Sequence, residues 1–400
     1  MTRTVFRGGR VWDGTGVDAA AADVVIEDGR IVGVGPRQDG DVEVDATDRT
    51  LLPGLFDCHV HVCVSHVDLW KIAQRPFSYE FYEAARNLQA TLATGITSVR
   101  DAGGADLGIK EAVAEGLIAG PRLSIAIIML TQTGGHGDTW YPSGATVPFF
   151  MSHPGRPSGQ VDGPDEVRRK VRELVRAGAD VIKVATSGGV LSPRDDPRHA
   201  HFRPAELDAL VEEATAAGIG VMAHAQGADG IKNAVRAGIR SIDHGIYLDD
   251  EAIELMKQRG TWFVPTLVAP QGVIDAAEAG VPLPPVVVDK ARSVVEIHRA
   301  AFRKAVEAGV RIAMGTDSGV TPHGRNLREL ELMVAGGMSP AAALEATTRS
   351  AAQLLGVDDR LGTIEEGKIA DLVVVSGDLY EVATLGERVE QVWQGGRRVA

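Results

Sequence analysis

Five residues that can bind a metal ion fall at the ends of apolar segments that have the pattern of strands. They are the two histidines of "HVH", His59 and His61, with His224 in "MAHA", His244 in "IDHG" and Asp317 in "GTDSG". Side chains alternate along a strand, so the two histidines of "HVH" share one face. Imidazole nitrogens and carboxylate oxygens are the ligands that zinc and similar metals take. The pattern predicts a centre holding divalent metal, with zinc as the expected ion.

A lysine interrupts another apolar segment. In "ADVIKVATSGG", Lys183 lies between Ile182 and Val184, in the middle of a predicted buried strand. Lysine is rarely buried without a partner, because desolvation of an ammonium is costly. Two interpretations are open from the residues alone: an ammonium paired with a neighbouring carboxylate, or an amine converted by CO₂ to a carbamate, an anionic ligand able to bridge two cations.

Two further candidates for contact with a substrate lie outside this set. His136 stands between glycines in "TGGHGDTW", where it can lean over the site to polarise a carbonyl or bind a carboxylate, or else be a solvated loop histidine. Tyr247 follows His244 by three residues and either faces the pocket or packs at the next helix. The remaining histidines are predicted to be mostly surface residues, namely His66, His153, His199, His201, His298 and His323.

The elements needed to position these residues are those of an α/β fold. Apolar segments alternate with amphipathic helical stretches, the pattern of parallel βα units. Eight strands are predicted, in "LFDCHVH", "ITSVRDAG", "LSIAIIML", "DVIKVAT", "GVMAHA", "SIDHGI", "TWFVPTL" and "RIAMGTDS". Eight units predict a (β/α)₈ TIM barrel, whose functional groups gather at the carboxyl ends of the strands. A doubly wound sheet is disfavoured, because no glycine-rich phosphate loop follows the first strand.

The two ends of the chain have a different texture. Short alternating segments with Asp-Gly and Gly-Gly turns occupy residues 1–52 and return in residues 356–400. Neither piece is large enough to form a core alone, so we expect them to pair into one small β-sandwich domain. The metal-binding barrel then spans residues 53–355.

Composition limits the partners. The chain of 400 residues is 44% hydrophobic and 24% charged, with a formal net charge of −13. This charge argues against binding to nucleic acid or to an anionic membrane surface, and favours a small-molecule substrate. The two cysteines, Cys58 and Cys63, are too few and too close to form a disulfide framework. A cytoplasmic protein is expected, with neither a signal peptide nor a membrane span.

Motifs along nearly the whole chain resemble one known family. These are "GGRVWDGTG", "LLPGLFDCHVH", "GITSVRDAGG", "TQTGGHGD", "DVIKVATSGG", "GTDSG" and "GTIEEGKIADLVVV". Together they resemble the amidohydrolase superfamily, and within it the imidazolonepropionase-like branch that includes Xaa-Pro dipeptidases and aminoacyl carboxypeptidases. The resemblance implies that His59, His61 and Asp317 bind the more buried of two zinc ions. It also implies that His224 and His244 bind the other, and that carboxylated Lys183 bridges both.

The expected reaction is hydrolysis of a peptide-like C–N bond, in an Xaa-Pro or other Xaa-amino acid dipeptide or in an N-acyl amino acid. A hydroxide bridging two metals attacks the carbonyl, and Asp317 takes the proton of the water and passes it to the leaving amine, or serves only as a ligand. Alternatives are hydrolysis of a cyclic amide, as by imidazolonepropionase, mononuclear deamination, and hydrolysis of a xenobiotic amide or ester. A scaffold protein without chemistry is disfavoured, because the ligand set has no gap. A homo-oligomer is expected.

Overall fold

The computed structural model describes residues 2–400, in which strands and helices alternate over most of the chain. Within these residues the strands are β1 (Thr4–Arg7), β2 (Arg10–Val11), β3 (Ala20–Ala21), β4 (Asp23–Glu27), β5 (Arg30–Gly35), β6 (Val42–Asp45), β7 (Arg49–Pro53), β8 (Leu55–Val60), β9 (Ile96–Asp101), β10 (Arg122–Ile125), β11 (Met129–Leu130), β12 (Val181–Ala185), β13 (Gly220–Ala225), β14 (Ser241–His244), β15 (Trp262–Val264), β16 (Leu372–Ser376), β17 (Val389–Gln394) and β18 (Arg397–Arg398).

The helices fall mainly between the strands of the central part. They are α1 (Leu69–Ala73), α2 (Tyr79–Leu92), α3 (Leu107–Ala114), α4 (Pro164–Arg176), α5 (Pro204–Ala216), α6 (Ala228–Ala237), α7 (Asp250–Arg259), α8 (Val268–Glu278), α9 (Pro285–Glu307), α10 (Arg328–Ala335), α11 (Pro340–Ala346) and α12 (Arg349–Leu355), with a 3₁₀ turn at Val382–Glu387. No helix among residues 2–400 combines the length and the apolar character needed to cross a membrane. The chain is therefore α/β, as the sequence predicts.

Helix α4 shows how the sequence sets these elements. Pro164 opens the helix, where a missing N–H costs nothing, and Asp165 and Glu166 lie in the first turn, where the helix dipole favours negative charge. Val167, Val171 and Leu174 recur at helical spacing and are buried. Burial of each such side chain contributes roughly 1.5–3 kcal/mol, so packing against the sheet stabilises the helix.

Two parallel sheets carry the central part, in the orders β10-β9-β8 and β11-β12-β13-β14-β15. The third predicted strand is split between them, because Ile127 has a left-handed φ of 67° between β10 and β11. The eighth predicted strand, residues 311–318, was wrong as a regular strand. Its backbone nevertheless hydrogen-bonds both neighbours: Ala313 N–H donates to Phe263 O at 3.0 Å, and Cys58 N–H donates to Met314 O at 2.9 Å.

The irregularity of residues 311–318 has a local cause. Gly315 passes so close to its neighbours that an added Cβ would lie 2.4 Å from a Val264 methyl group. Asp317 then adopts a left-handed φ of 59°, which extended strand backbone does not have. The segment thus departs from strand geometry where it presents the Asp317 side chain.

The two ends of the chain pair with each other. Strand β16 lies antiparallel to β7, with Val374 opposite Leu51, within a six-stranded sheet of order β18-β17-β16-β7-β2-β3. A second, four-stranded sheet has the order β5-β4-β1-β6. Side chains of both sheets, such as Phe6 and Leu372, belong to one apolar cluster. Residues that are far apart in sequence therefore share this core.

Candidate active site

The carboxyl ends of the parallel strands open into a cavity of about 560 Å³. All six predicted metal-binding side chains line it, namely His59, His61, Lys183, His224, His244 and Asp317. His136 also lines the cavity, whereas Tyr247 is not among the lining residues. The Tyr247 side chain is half-buried and packs against the apolar cluster that contains Val273 and Val294. The structure thus brings together every predicted residue except Tyr247.

The carboxylate of Asp317 lies between the two histidines of "HVH". Its Oδ1 is 3.4 Å from His59 Nε2 and 3.4 Å from His61 Nε2. Ligand atoms of His59, His244 and Asp317 all lie within 4.8 Å of one another. Although burial alone would raise the pKa of Asp317, the neighbouring imidazoles of His59 and His61 hold it well below its usual range. The carboxylate is ionised, which is the form that ligates a metal or accepts a proton.

One nitrogen of each histidine is fixed by a partner outside the cluster. The Nδ1 atoms of His59, His61 and His244 bond Asp243 Oδ2 at 2.6 Å, Gly103 O at 2.7 Å and Thr266 Oγ1 at 2.7 Å, respectively. His224 is reversed, with Nε2 at 3.1 Å from Gly188 O. Such partners orient an imidazole and leave its other nitrogen free. Burial lowers the pKa of His224 and of His244 well below that of free imidazole, so both are neutral.

Lys183 lines the same cavity beside His59 and is only 1% exposed. Its Nζ is 3.4 Å from His59 Nε2 and 3.8 Å from Asp243 Oδ2. Burial lowers its pKa to about 8, although the charges of Asp243 and Asp317 oppose this shift. A neutral amine is the form that reacts with CO₂, so the environment suits carbamate formation, while the 3.8 Å separation gives an unmodified ammonium only a loose counter-charge.

A buried ion pair lies behind the cluster and was not found from the sequence. Asp243 Oδ2 is 3.1 Å from Arg100 Nη2, and both side chains are almost completely buried. Arg100 also donates to Cys58 O at 2.7 Å, on the strand that carries His59. Attraction from Arg100 and Lys183 outweighs burial and lowers the pKa of Asp243. The signal in the sequence was an arginine within a predicted buried strand and an aspartate next to His244.

His298 corrects the prediction that the remaining histidines lie mostly at the surface. It is 1% exposed, on α9, and its Nε2–H donates to the His244 carbonyl at 2.7 Å. The reason is its spacing from Ala291, Val294 and Ala301, which places it on the buried face of the helix. His201 is also buried, and His323 lies close to the carbonyls of His61 and Val64.

Backbone strain accompanies two of the candidate ligands. His244 and Asp317 have left-handed φ values of 74° and 59°, a conformation that costs energy for side chains other than glycine. Asp57 supports the second of them, since its Oδ2 accepts from Thr316 Oγ1 at 2.6 Å and from Asn326 Nδ2 at 2.8 Å. Surrounding contacts therefore hold both side chains in orientations that a relaxed strand end would not give.

The donor set fits a metal centre. Four oriented imidazoles, an ionised carboxylate and a buried amine converge on one space, and nitrogen and oxygen are the donors that zinc takes. Ligand atoms of His59, His244 and Asp317 are close enough to share one ion, and His61 Nε2 lies 3.4 Å from the same carboxylate. His59, His61, His224, His244 and Asp317 would hold the metal, and Lys183 lies beside His59 in the same cavity.

Comparison with known proteins identifies the class to which this fold and site belong. Residues 50–399 match the model of the amidohydrolase family. The chain therefore belongs to the amidohydrolase family, whose members are generally metal-dependent and have a TIM-barrel fold. Imidazolonepropionase of Symbiobacterium thermophilum is 26% identical over 401 residues, covering 92% of this chain and 87% of that protein, which supports the imidazolonepropionase-like branch.

Several relatives and solved structures that are similar to this chain indicate the type of bond on which it acts. Ochratoxinase of Aspergillus niger is 35% identical over 420 residues, covering 98% of this chain and 86% of that protein. The crystal structure of an Xaa-Pro dipeptidase with bound methionine is 35% identical, with a TM-score of 0.90 and 100% of both chains covered. A prolidase complexed with N-methylphosphonate-L-proline is 36% identical, with a TM-score of 0.90 and 100% and 99% coverage. These likenesses support a hydrolase that acts on amide or peptide bonds.

Proposed function

We propose that the protein is a binuclear metallohydrolase that cleaves the C–N bond between an acyl or aminoacyl group and an amino acid. The substrates are Xaa-Pro or other Xaa-amino acid dipeptides and N-acyl amino acids. The convergence of four histidines, Asp317 and Lys183 on one cavity carries the proposal. The dipeptidase and prolidase that this chain resembles act on bonds of this type by their names.

Each residue has a role in this reaction. Two bound zinc ions would lower the pKa of the attacking water and polarise the scissile carbonyl. By resemblance to the family, His59, His61 and Asp317 would bind one ion and His224 and His244 the other, and Lys183, as a carbamate, would supply a further anionic ligand. Asp317 lies 3.4 Å from both His59 and His61, where it can accept the proton of the water and later donate it to the nitrogen of the breaking C–N bond.

The cavity beyond the cluster offers contacts for the rest of the substrate. His136 lies at its wall, where it would polarise the carbonyl or bind the carboxylate of the amino-acid product. Apolar side chains such as Phe149, Phe150 and Leu191 line much of the remaining surface. A substrate with an apolar side chain or acyl group therefore has a complementary surface.

The finer architecture belongs to the same proposal. Backbone bonds from residues 311–318 to both β15 and β8 support a closed (β/α)₈ barrel over residues 53–355. The apolar cluster shared by two sheets supports a β-sandwich built from residues 1–52 and 356–400. A homo-oligomeric state and a cytoplasmic location stay predictions.

A substrate panel tests the function. The protein is loaded with zinc in bicarbonate and assayed against Xaa-Pro dipeptides, other dipeptides with apolar residues, and N-acyl amino acids. Release of the carboxyl-terminal amino acid from at least one class is expected, and it should stop after chelation and return on addition of metal. A loaded protein that cleaves no member would contradict the proposal.

One observation favours a second candidate. Ochratoxinase covers 98% of this chain at 35% identity, so a xenobiotic amide is a reasonable substrate of the same centre. Ochratoxin A therefore belongs in the panel. A kcat/KM for ochratoxin A far above that for every dipeptide and simple N-acyl amino acid would favour this second candidate.

A further inference from the structure

His136 is held on three sides at the cavity wall. Its ring stacks on the ring of His224, with centroids 4.1 Å apart and an interplanar angle of 14°. Its Nδ1 is 2.7 Å from Ser192 Oγ and 3.4 Å from Asp195 Oδ2. On the third side lies Gly189, where an added Cβ would be 2.1 Å from the imidazole Cε1. A solvated loop histidine does not need contacts of this kind.

Chemistry fixes the direction of the hydrogen bonds. An ionised carboxylate only accepts, so the short contact between Ser192 Oγ and Asp195 Oδ1 is a bond donated by the serine hydroxyl. Ser192 has one proton to donate, and its Oγ is then an acceptor toward His136. His136 must therefore carry a proton on Nδ1, and Nε2 has no hydrogen-bond partner among residues 2–400.

Asp195 is itself held in place by Gly189 and by Lys290 of α9. Its Oδ2 accepts from Gly189 N–H at 3.1 Å. Lys290, which projects from α9, lies 3.4 Å from Asp195 Oδ1 and donates to the carbonyls of Gly189 at 3.1 Å and Ser192 at 2.8 Å. A helix thus fixes the loop that carries Ser192 and Asp195, and this loop in turn fixes a histidine of a different loop.

We propose that Asp195 is a positioning residue, which acts through Ser192 to hold His136 with Nδ1–H toward the loop and Nε2 free for the substrate. The inference rests on the proposed function, because it supplies the orientation that a substrate contact by His136 needs. Ser192 is not a nucleophile in this arrangement, since its hydroxyl proton is donated to the carboxylate rather than to the imidazole.

A double-mutant cycle tests this coupling. Asp195→Asn should lower kcat/KM for the best amide substrate roughly 10- to 100-fold, as loss of an orienting partner typically does. In the His136→Ala background the same change should cost less than about 2-fold, because the residue through which Asp195 acts is gone. An equal fold-loss in kcat/KM on Asp195→Asn in both backgrounds would overturn the proposal. Zinc content per chain should stay equal in all four proteins.

The matched control is Asp196→Asn, which removes the same charge from the next residue. Asp196 pairs with the exposed Arg198 at 2.6 Å, so kcat/KM should stay within about 2-fold of wild type. An equal loss in this variant would assign the effect to loop charge and overturn the proposal.

A second readout does not depend on turnover. In the NMR spectrum of the zinc-loaded full chain with ¹⁵N-labelled histidine, Nδ1 of His136 should carry a proton in wild type and in Asp196→Asn. This preference should be lost in Asp195→Asn. A proton on Nε2 alone in wild type would overturn the positioning role. Absence of all amide hydrolysis together with the expected spectra would instead contradict the proposed function and leave the positioning role supported.

Discussion

The two ends of the cavity are built differently. At the metal end, His59 and Lys183 are each 1% exposed, project from strands and are oriented by buried partners such as Asp243. At the outer end, His136 and the 51% exposed Trp140 lie on a loop that other loops must hold. Strand geometry fixes the first set, whereas side-chain contacts between loops fix the second. We therefore expect that substitutions at the outer end change substrate binding without loss of metal.

The largest effect is expected at Lys183. Lys183→Ala removes the ligand that we propose Lys183 supplies as a carbamate, so one of the two proposed metal ions should be lost. We expect kcat/KM to fall by at least about 1,000-fold, since several kcal/mol of stabilisation supplied by the metal centre are removed. Steady-state kinetics and zinc content per chain are the measurements.

Lys170→Ala is the matched control for that change. Lys170 is also a buried lysine, but it lies on α4 and pairs with Glu173 at 2.6 Å, away from the cavity. Its loss should leave zinc content unchanged. Full activity of Lys183→Ala would show that Lys183 is not needed for the reaction, which would contradict the role given to the metal end of the cavity.

Asp243→Asn tests whether zinc binding at the metal end depends on the buried partners of its ligands. The amide is a poorer acceptor for His59 Nδ1–H and a weaker partner for Arg100, so zinc affinity should fall roughly 10- to 100-fold. Competition with a chromogenic chelator measures this affinity. Asp180→Asn, in the Lys110 ion pair away from the cavity, should bind zinc as wild type does. Equal affinities in both variants would show that the partner of His59 is dispensable.

Phe150→Ala probes the outer end. The Phe150 ring stacks on His61 with centroids 5.9 Å apart and lines the cavity. Loss of this apolar wall should raise KM about 10-fold, equivalent to roughly 1.4 kcal/mol of burial, with zinc content unchanged. The neighbouring Met151 is 51% exposed, so Met151→Ala should leave KM within about 2-fold. Loss of zinc from Phe150→Ala would mean that the two ends are not separable.

The smallest expected effect is a change of the melting temperature with pH that arises from Glu329. Its Oε1 and Oε2 accept from Leu267 and Val268 N–H, and burial raises its pKa to about 8. The folded state therefore binds this proton more tightly than the unfolded state. The stabilisation is complete below the ordinary carboxyl pKa and is lost as pH rises through about 8, so the melting temperature should fall by a few degrees between about pH 6 and 9.

Variants on one helix isolate this contribution. Glu329→Gln imitates the neutral carboxyl and should reduce the fall in melting temperature. Glu331→Gln, an exposed position on the same helix, should retain it. Identical pH dependences for wild type and Glu329→Gln would assign the proton to other groups.

The metal end was largely predictable from the sequence. Its ligands follow strands, and the alternation and the carboxyl-end rule place such residues together without knowledge of any loop. The ion pair between Arg100 and Asp243 was not predicted, because the two residues lie far apart in the chain. The sequence around Arg100 or around Asp243 does not indicate which buried charge is its partner.

The outer end was predictable only as a set of candidates. His136 was found from its glycine-flanked loop, but for Tyr247 the sequence left a place in the pocket and packing at the next helix both open, and the side chain packs against the cluster that contains Val273. The contacts of Ser192, Asp195 and Lys290 depend on how three separate segments fold over one another. Periodicity carries no information on such contacts, whereas it did contain the signal for His298, which shares the buried spacing of α9.

Metal stoichiometry is the most direct measurement of the proposed two-metal centre with carboxylated Lys183. Wild-type protein is loaded with zinc in bicarbonate, freed of loosely held metal by gel filtration, and analysed by elemental mass spectrometry against protein concentration. Two zinc ions per chain are expected. A single tightly held ion per chain in fully active protein would contradict it.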